Sequence, residues 1–335
     1  MWHVGMDWHS RQADMTVRDS HGQKMFSRHV RGGLAPVLDE LRKIKEPFSV
    51  TYEASTGYGH LFDELSKLAH TVKVAHPGHL RLIFRSKRKS DRVDSDKLSK
   101  LDYLGEVPQV HVPSHEVRVL RATIKYRSRM VLERTGTKCR IRAFLRSRAI
   151  VAPRGLWTKA GVEWLRGLEF ADDLEALLRD ELVEKLGYQD SLIKRVTKAL
   201  DKRGRANPAV GLLMTIPGVG PRTAEAVVAW IDKPARFSSV RDVAAYFGLV
   251  PCLDQSAGAA RYGHITKEGP AVARRLLVEA AHQGARRSPR IKAYFERICG
   301  DDPGRKKIAI VATAHYLVRV MAAMLRTGEV WRDEQ

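Results

Sequence analysis

Five side chains in this sequence have the types and settings for phosphoryl chemistry: Asp7, Glu53, Asp91, Asp94 and Ser256. Asp7 stands inside an apolar, strand-like run, His3-Val-Gly-Met-Asp-Trp-His9. A charge in the middle of a buried strand is costly unless it is paired or holds a metal. Glu53 ends the strand-like Phe48-Ser-Val-Thr-Tyr52, just before Ala54-Ser-Thr-Gly-Tyr58. Asp91 and Asp94 are three residues apart, so on a helix they share a face. Acids on strand one, strand four and a later helix can converge on one site. Such hard oxygen ligands suit Mg²⁺ or Mn²⁺. Two such ions about 4 Å apart would polarise a phosphodiester and activate an attacking oxygen. Blander readings remain open for each acid: Asp7 as an edge-strand charge, Glu53 as an acid favourable to a helix N-terminus, and Asp91 and Asp94 as solvated partners of Lys87, Arg88 and Arg92. Asp96 lies off the shared face and is left out. His9, two residues from Asp7, reads as a rim residue.

Ser256 lies in Asp254-Gln-Ser-Ala-Gly-Ala-Ala-Arg-Tyr-Gly-His-Ile-Thr-Lys-Glu-Gly269. Serine competes for backbone hydrogen bonds and glycine weakens helix and strand alike, so this stretch is expected to be a loop displaying the hydroxyl. Arg261, Lys267, Arg274 and Arg275 are near enough in sequence to hold a phosphate against it. A surface loop with a helix-capping serine is the plain alternative.

The elements that must position these groups can be read from periodicity. Residues 2–8, 13–18 and 23–30 read as a three-stranded meander, 34–44 as a helix, 48–52 as a strand, 58–69 as a helix and 72–75 as a strand. That order is the one found in ribonuclease H-like α/β domains, expected here over residues 1–108. Residues 109–206 are expected to be helical. Between 117 and 148 stand eleven basic residues and one acid, Glu133. Solvated faces normally mix signs, so Arg118, Arg121, Lys125 and Arg129 on this helix are expected to meet a phosphate backbone. Residues 170–203 read as a coiled-coil or hairpin arm able to join protomers. Residues 207–335 are expected to form a small helical domain. Its Ile216-Pro-Gly-Val-Gly-Pro-Arg has the form of a helix-hairpin-helix, in which Gly218 and Gly220 let backbone amides approach a phosphate.

Composition sets the class. The chain has 335 residues, 44 % of them hydrophobic, and a net charge of +21. Its pI of about 10.1 points to a polyanionic partner, most simply nucleic acid. Cys139, Cys252 and Cys299 are widely spaced and give neither a disulfide framework nor a zinc site, which fits a reducing cytoplasm. No signal-peptide pattern opens the chain, and no apolar run is expected to approach a membrane span, so no membrane association is expected.

Taken together, Gly5-Met-Asp-Trp-His9, Tyr52-Glu-Ala-Ser-Thr-Gly-Tyr58 and Lys89-Ser-Asp-Arg-Val-Asp94 resemble the three acidic motifs of the transposases of insertion-sequence family 110. Leu213-Met-Thr-Ile-Pro-Gly-Val-Gly-Pro221, Phe247-Gly-Leu-Val-Pro251 and the Ser256 stretch resemble that family's C-terminal transposase domain. The resemblance runs nearly end to end and keeps motif order. It implies an RNA-guided DNA recombinase with a RuvC-like domain (metal-binding acids Asp7, Glu53, Asp91 and Asp94) and a serine transposase domain (nucleophile Ser256). It further implies a bridge-type non-coding RNA, donor and target double-stranded DNA, a homotetramer arranged as a dimer of dimers, and a place at the bacterial nucleoid. Trp8-His9, Ala257 after the serine, and one extra residue between Glu53 and Thr56-Gly57 depart from the family pattern, but none removes a reactive group. Two rival readings remain: a metal-dependent junction endonuclease working by water attack, and a non-catalytic RNA-binding protein.

Overall fold

The computed structural model describes residues 1–83, 90–256 and 259–333, and the chain falls into two compact units, Met1–Arg118 and Val119–Gln335. Lys87 and Arg88, partners of Asp91 and Asp94 in the blander reading of those acids, lie outside the described residues.

The first unit is built on one five-stranded sheet. Its elements are β1 (Trp2–His9), β2 (Gln12–Arg18), β3 (Lys24–Arg31), α1 (Leu34–Arg42), β4 (Phe48–Glu53), α2 (Tyr58–Leu65), β5 (Thr71–Ala75), α3 (Pro77–Ile83) and α4 (Asp91–Leu104). The strand order is β3-β2-β1-β4-β5. β1–β2 and β2–β3 are antiparallel, and β4 and β5 join in parallel. This is the meander followed by two helix-connected strands expected from the sequence, in the α/β arrangement of ribonuclease H-like domains.

The two faces of the sheet differ in chemistry. One carries Val4, Met6, Ala13, Met15, Val17, Val50, Tyr52 and Val74, buried with Val37, Leu38 and Leu41 of α1 and Leu61 and Leu65 of α2. The Val, Leu and Met side chains among them each contribute roughly 1.5–3 kcal/mol when buried. Alternation along the strands sends His3, Gly5 and Asp7 of β1, Thr16 and Arg18 of β2, and Ser49 and Thr51 of β4 to the opposite face, where α4 lies. A methyl on Gly5 would overlap the Ser95 carbonyl and Ser99 amide of α4, so glycine is what lets helix and strand approach this closely. Thr16 Oγ1 meets Ser95 Oγ at 3.0 Å, and Arg18 donates to Ser99 Oγ at 3.1 Å and Asp96 Oδ1 at 2.9 Å.

Among the described residues, the second unit is helical apart from one strand pair. α5 (His115–Arg146) runs into it from the end of the first. Then follow α6 (Lys159–Arg166), α7 (Asp173–Arg205), α8 (Pro208–Leu213), α9 (Pro221–Ile231), α10 (Val240–Tyr246), β6 (Pro251–Ser256), β7 (Ala259–Ile265), α11 (Ala271–Arg287), α12 (Pro289–Cys299) and α13 (Lys306–Thr327). Within this unit α5 and α7 are antiparallel: Arg127 donates to Thr197 at 2.7 Å, Arg134 to Asp190 at 2.9 Å, and Arg148 pairs with Glu175 at 2.8 Å. Helices α8 to α13 enclose a core that includes Leu213, Ile216, Val227, Phe247, Leu277, Leu317 and Met321.

Two expectations need correction here. Residues 254–256 and 259–265, expected in a loop, are strand: β6 and β7 pair antiparallel from Pro251–Ile265 to Ser256–Ala259. The backbone ladder supplies what the weakly strand-forming Ala and Gly residues do not. The expectation that no apolar stretch approaches a membrane span fails for α13, which is long and apolar enough by composition to cross one. Its apolarity has a local cause, because Leu317, Val318, Met321 and Ala322 are buried in the core of this unit.

Candidate active site

Strand β1 ends on Asp7, Trp8 and His9, β4 ends on Glu53, and α4 begins with Asp91. The parallel register sets Met6 beside Tyr52, which brings Asp7 level with Glu53. Ser90 caps α4, its side chain accepting from the Val93 amide, so Asp91 and Asp94 fall in the first turn, where the helix dipole favours carboxylates. His9 Nε2 lies 3.7 Å from Asp7 Oδ2 and 3.7 Å from Asp91 Oδ2. One ligand atom from each of Asp7, His9 and Asp91 falls within 4.8 Å of the other two. Asp94 also lies 3.3 Å from Lys97 Nζ on its own helix.

The electrostatics show that the four acids share one neighbourhood. Burial pushes the Asp7 carboxyl up to about 6; His9 pulls it down, while Asp91, Asp94 and Glu53 push it further up. The donor set, carboxylate oxygens with one imidazole at the edge, fits a divalent ion such as Mg²⁺ or Mn²⁺. His9, read from sequence as a rim residue, stands with the acids. Asp96 points elsewhere, to Arg18 and Lys24 at 2.9 and 3.2 Å.

Sequence reading missed Asp102, on α4 three turns beyond Asp91. It is 1 % exposed and ionic. Burial alone would raise its carboxyl, yet hydrogen bonds from Lys73, Ser49, Thr51 and His3 outweigh that and hold it below its ordinary value. The signal was present as a stripe: Asp91, Ser95, Leu98 and Asp102 recur at helical spacing.

In the second unit, Ser256 closes β6, its backbone paired with Ala259 of β7. The cations expected around it have different surroundings. Arg261 is exposed on β7, and Lys267 has a left-handed backbone, φ 57°. Arg274 is committed to the chain itself, donating to the Phe247 carbonyl at 2.9 Å and to the Glu268 carbonyl. Arg275 donates to Ser128 Oγ of α5 at 2.6 Å. The basic residues of α5 divide in the same way. Arg118, within the first unit, bonds Asp63 and the Pro113 carbonyl. Arg121 donates to the Ala229 and Trp230 carbonyls at 2.8 and 3.2 Å. Lys125 is exposed, and Arg129 is exposed beside Glu133 at 3.1 Å. Between α8 and α9, Gly218 has φ 90° and abuts the backbone at Gly284, while Gly220 caps α9 with open space where a side chain would be.

Comparison with known proteins finds two family matches in chain order. The DEDD transposase family named for IS110 matches residues 4–149, and the family described as Transposase IS116/IS110/IS902 matches residues 210–296. The transposase-like protein y4pF/y4sB of Sinorhizobium fredii is 30 % identical over 299 residues, covering 86 % of this chain and 76 % of that one. A Pseudomonas aeruginosa protein designated a family 20 transposase is 27 % identical over 338 residues, 98 % of each chain. The transposase for insertion sequence element IS1111A of Coxiella burnetii is 24 % identical over 336 residues, 94 % of this chain and 86 % of that one. With both family matches in the order of the two site-bearing regions, and a relative at this identity over most of the sequence, the chain belongs to the IS110-type family of insertion-sequence transposases.

Proposed function

We propose that this transposase is an RNA-guided DNA recombinase that exchanges strands through a phosphoserine intermediate. The observation that carries the reading is the convergence of Asp7, Glu53, Asp91 and Asp94 at one end of the sheet, where burial first and the three neighbouring acids second push the Asp7 carboxyl up to about 6. A divalent ion held there would withdraw charge from a scissile phosphate and lower the barrier to attack on it. The acids hold the ion and orient the phosphate. Ser256 supplies the attacking Oγ; the Oγ–P bond forms as the bond from phosphorus to a deoxyribose oxygen breaks. The serine loses its proton and the departing oxygen gains one. Covalent storage conserves the bond for religation, which hydrolysis would not.

The partners follow from the charge of the chain. Lys125, Arg129 and Arg261 are exposed cations on a chain of net charge +21, suited to RNA and DNA backbones. A bridge-type RNA, paired with donor and target DNA, supplies sequence choice. Strand exchange joins four ends, which calls for a homotetramer.

The test is a denaturing gel of protein, its RNA, Mg²⁺ and a nicked, labelled donor DNA, comparing wild type with Ser256→Ala. A protease-sensitive covalent band that disappears in the variant supports the reading. Cleavage with no covalent band, equal in both proteins, would leave a four-carboxylate nuclease using water.

A further inference from the structure

We propose that Asp102 is a positioning residue for the acidic site: its buried ionic cluster fixes the roll and register of α4, and thereby the direction of Asp91 and Asp94. This inference rests on the reading that those acids hold a divalent ion.

The argument begins with where Asp102 is bound. Its Oδ1 takes Lys73 Nζ of β5 at 2.8 Å and Thr51 Oγ1 of β4 at 2.8 Å. Its Oδ2 takes His3 Nδ1 of β1 at 2.7 Å and the Ser49 hydroxyl of β4. One carboxylate near the C-terminal end of α4 is therefore tied to three adjacent strands. Those strands include the two, β1 and β4, that carry Asp7 and Glu53. The other two acids begin the same helix about three turns away. The four acids of the site thus reach one another through Asp102 and its partners.

An apolar anchor would hold α4 on the sheet but would not define its rotation. Charge-assisted bonds are directional and do. The magnitude matters. A roll of about 20° would move a carboxylate lying ~6 Å from the helix axis by about 2 Å. Ligand distances in a metal site tolerate roughly 0.2 Å. The close approach at Gly5 and the Thr16–Ser95 bond hold the middle of the helix at a fixed height. Arg18 adds directional bonds to Ser99 and Asp96 in the same middle stretch. Asp102 supplies the constraint at the end opposite the acids, and it alone of these ties reaches β4 and β5. A buried charge with four donors is costly to assemble, and its contribution to stability is a weak reason to keep it; fixing a unique geometry is a better one.

The test measures Mn²⁺ binding to the full-length protein directly, by loss of the free-ion electron paramagnetic resonance signal, with folding followed by circular dichroism. Asp102→Asn keeps the size and removes the charge. It is expected to remain folded and to bind Mn²⁺ roughly tenfold more weakly, the scale seen when groups behind a metal's ligands are altered. Leu41→Ala, on the apolar face of the sheet, is the control: it should lower the thermal midpoint and leave Mn²⁺ affinity within twofold of wild type. If Asp102→Asn fails to fold, Lys73→Met and Thr51→Val each remove one tie and are expected to weaken Mn²⁺ binding in a folded protein. A folded Asp102→Asn or, failing that, folded Lys73→Met and Thr51→Val, with wild-type Mn²⁺ affinity would overturn the proposal. Absence of Mn²⁺ binding to the wild type would instead remove the metal-site reading, and the inference with it.

Discussion

Asp7 carries the electrostatic strain of the site. Its carboxyl ordinarily titrates at 3.8 and in the folded protein at about 6, raised first by burial. The sign follows from linkage: an acid with a raised folded-state value penalises the fold when ionised, so the penalty is absent below about pH 4, grows towards pH 6 and is complete above it. The full shift corresponds to at most about 3 kcal/mol. Asp7→Asn, measured in chelator, should therefore be more stable than wild type at pH 8 by about 1–2 kcal/mol, with the gap closing near pH 4. Added Mn²⁺ should raise the thermal midpoint of wild type and leave that of Asp7→Asn nearly unmoved. A variant less stable than wild type at pH 8 would show that Asp7 is held by contacts and not strained by its neighbours. The acids were legible in the sequence because a charge inside an apolar strand asks for an explanation. His9 and Asp102 were not, because their meaning lies in partners distant in the chain: Asp91 for one, and His3, Ser49, Thr51 and Lys73 for the other.

Elements turn those residues into a site, and Gly5 shows how little room they leave. Gly5→Ala sets a methyl against the backbone of α4 at Ser95 and Ser99, which cannot withdraw as a side-chain tip could. It should destabilise the first unit by about 3 kcal/mol in urea unfolding and weaken Mn²⁺ binding as α4 is pushed away. Helix α5 offers a second prediction, since its cations play unlike parts. Lys125→Ala should leave the thermal midpoint within about a degree and lower the salt slope of nucleic-acid binding by about 1. Arg121→Ala removes donors to the Ala229 and Trp230 carbonyls and should lower the thermal midpoint by several degrees. Equal midpoints for the two variants would refute that distinction. Periodicity revealed the five strands of the sheet and the helices α1 and α2 that connect them, because each buries one face against a partner. It missed β6 and β7, whose described side chains Leu253 and Tyr262 are exposed, so no core imprints an alternating pattern on them. It also could not tell a cation that meets phosphate from one that ties two helices together, since both are simply basic residues at helical spacing.

At the scale of the whole molecule, charge and apolar surface ask for different partners. A net charge of +21 opposes close association of bare copies, and a bound polyanion would relieve that repulsion. Yet α7 displays Leu174, Leu177 and Leu178 at its start and Tyr188 further along, with Leu174 71 % exposed and Tyr188 63 %. A run of solvent-facing leucines near one end of a 33-residue helix is poorly suited to a lone chain and well suited to a helix from a second copy. The two observations together predict assembly that depends on nucleic acid. In light scattering, the protein alone in moderate salt should be smaller than its RNA-bound form, once the mass of the RNA is subtracted. The bound form should contain whole multiples of the 37.8 kDa chain. Replacing Leu174, Leu177 and Leu178 together by glutamate should reduce that multiple while leaving Mn²⁺ binding and the circular dichroism spectrum unchanged, because none of the three is part of a buried core. Covalent capture of DNA by Ser256 should fall with the multiple if strand exchange needs several protomers at once. A triple variant that keeps the wild-type mass on RNA would move the protomer contact off α7 and leave its leucines unexplained.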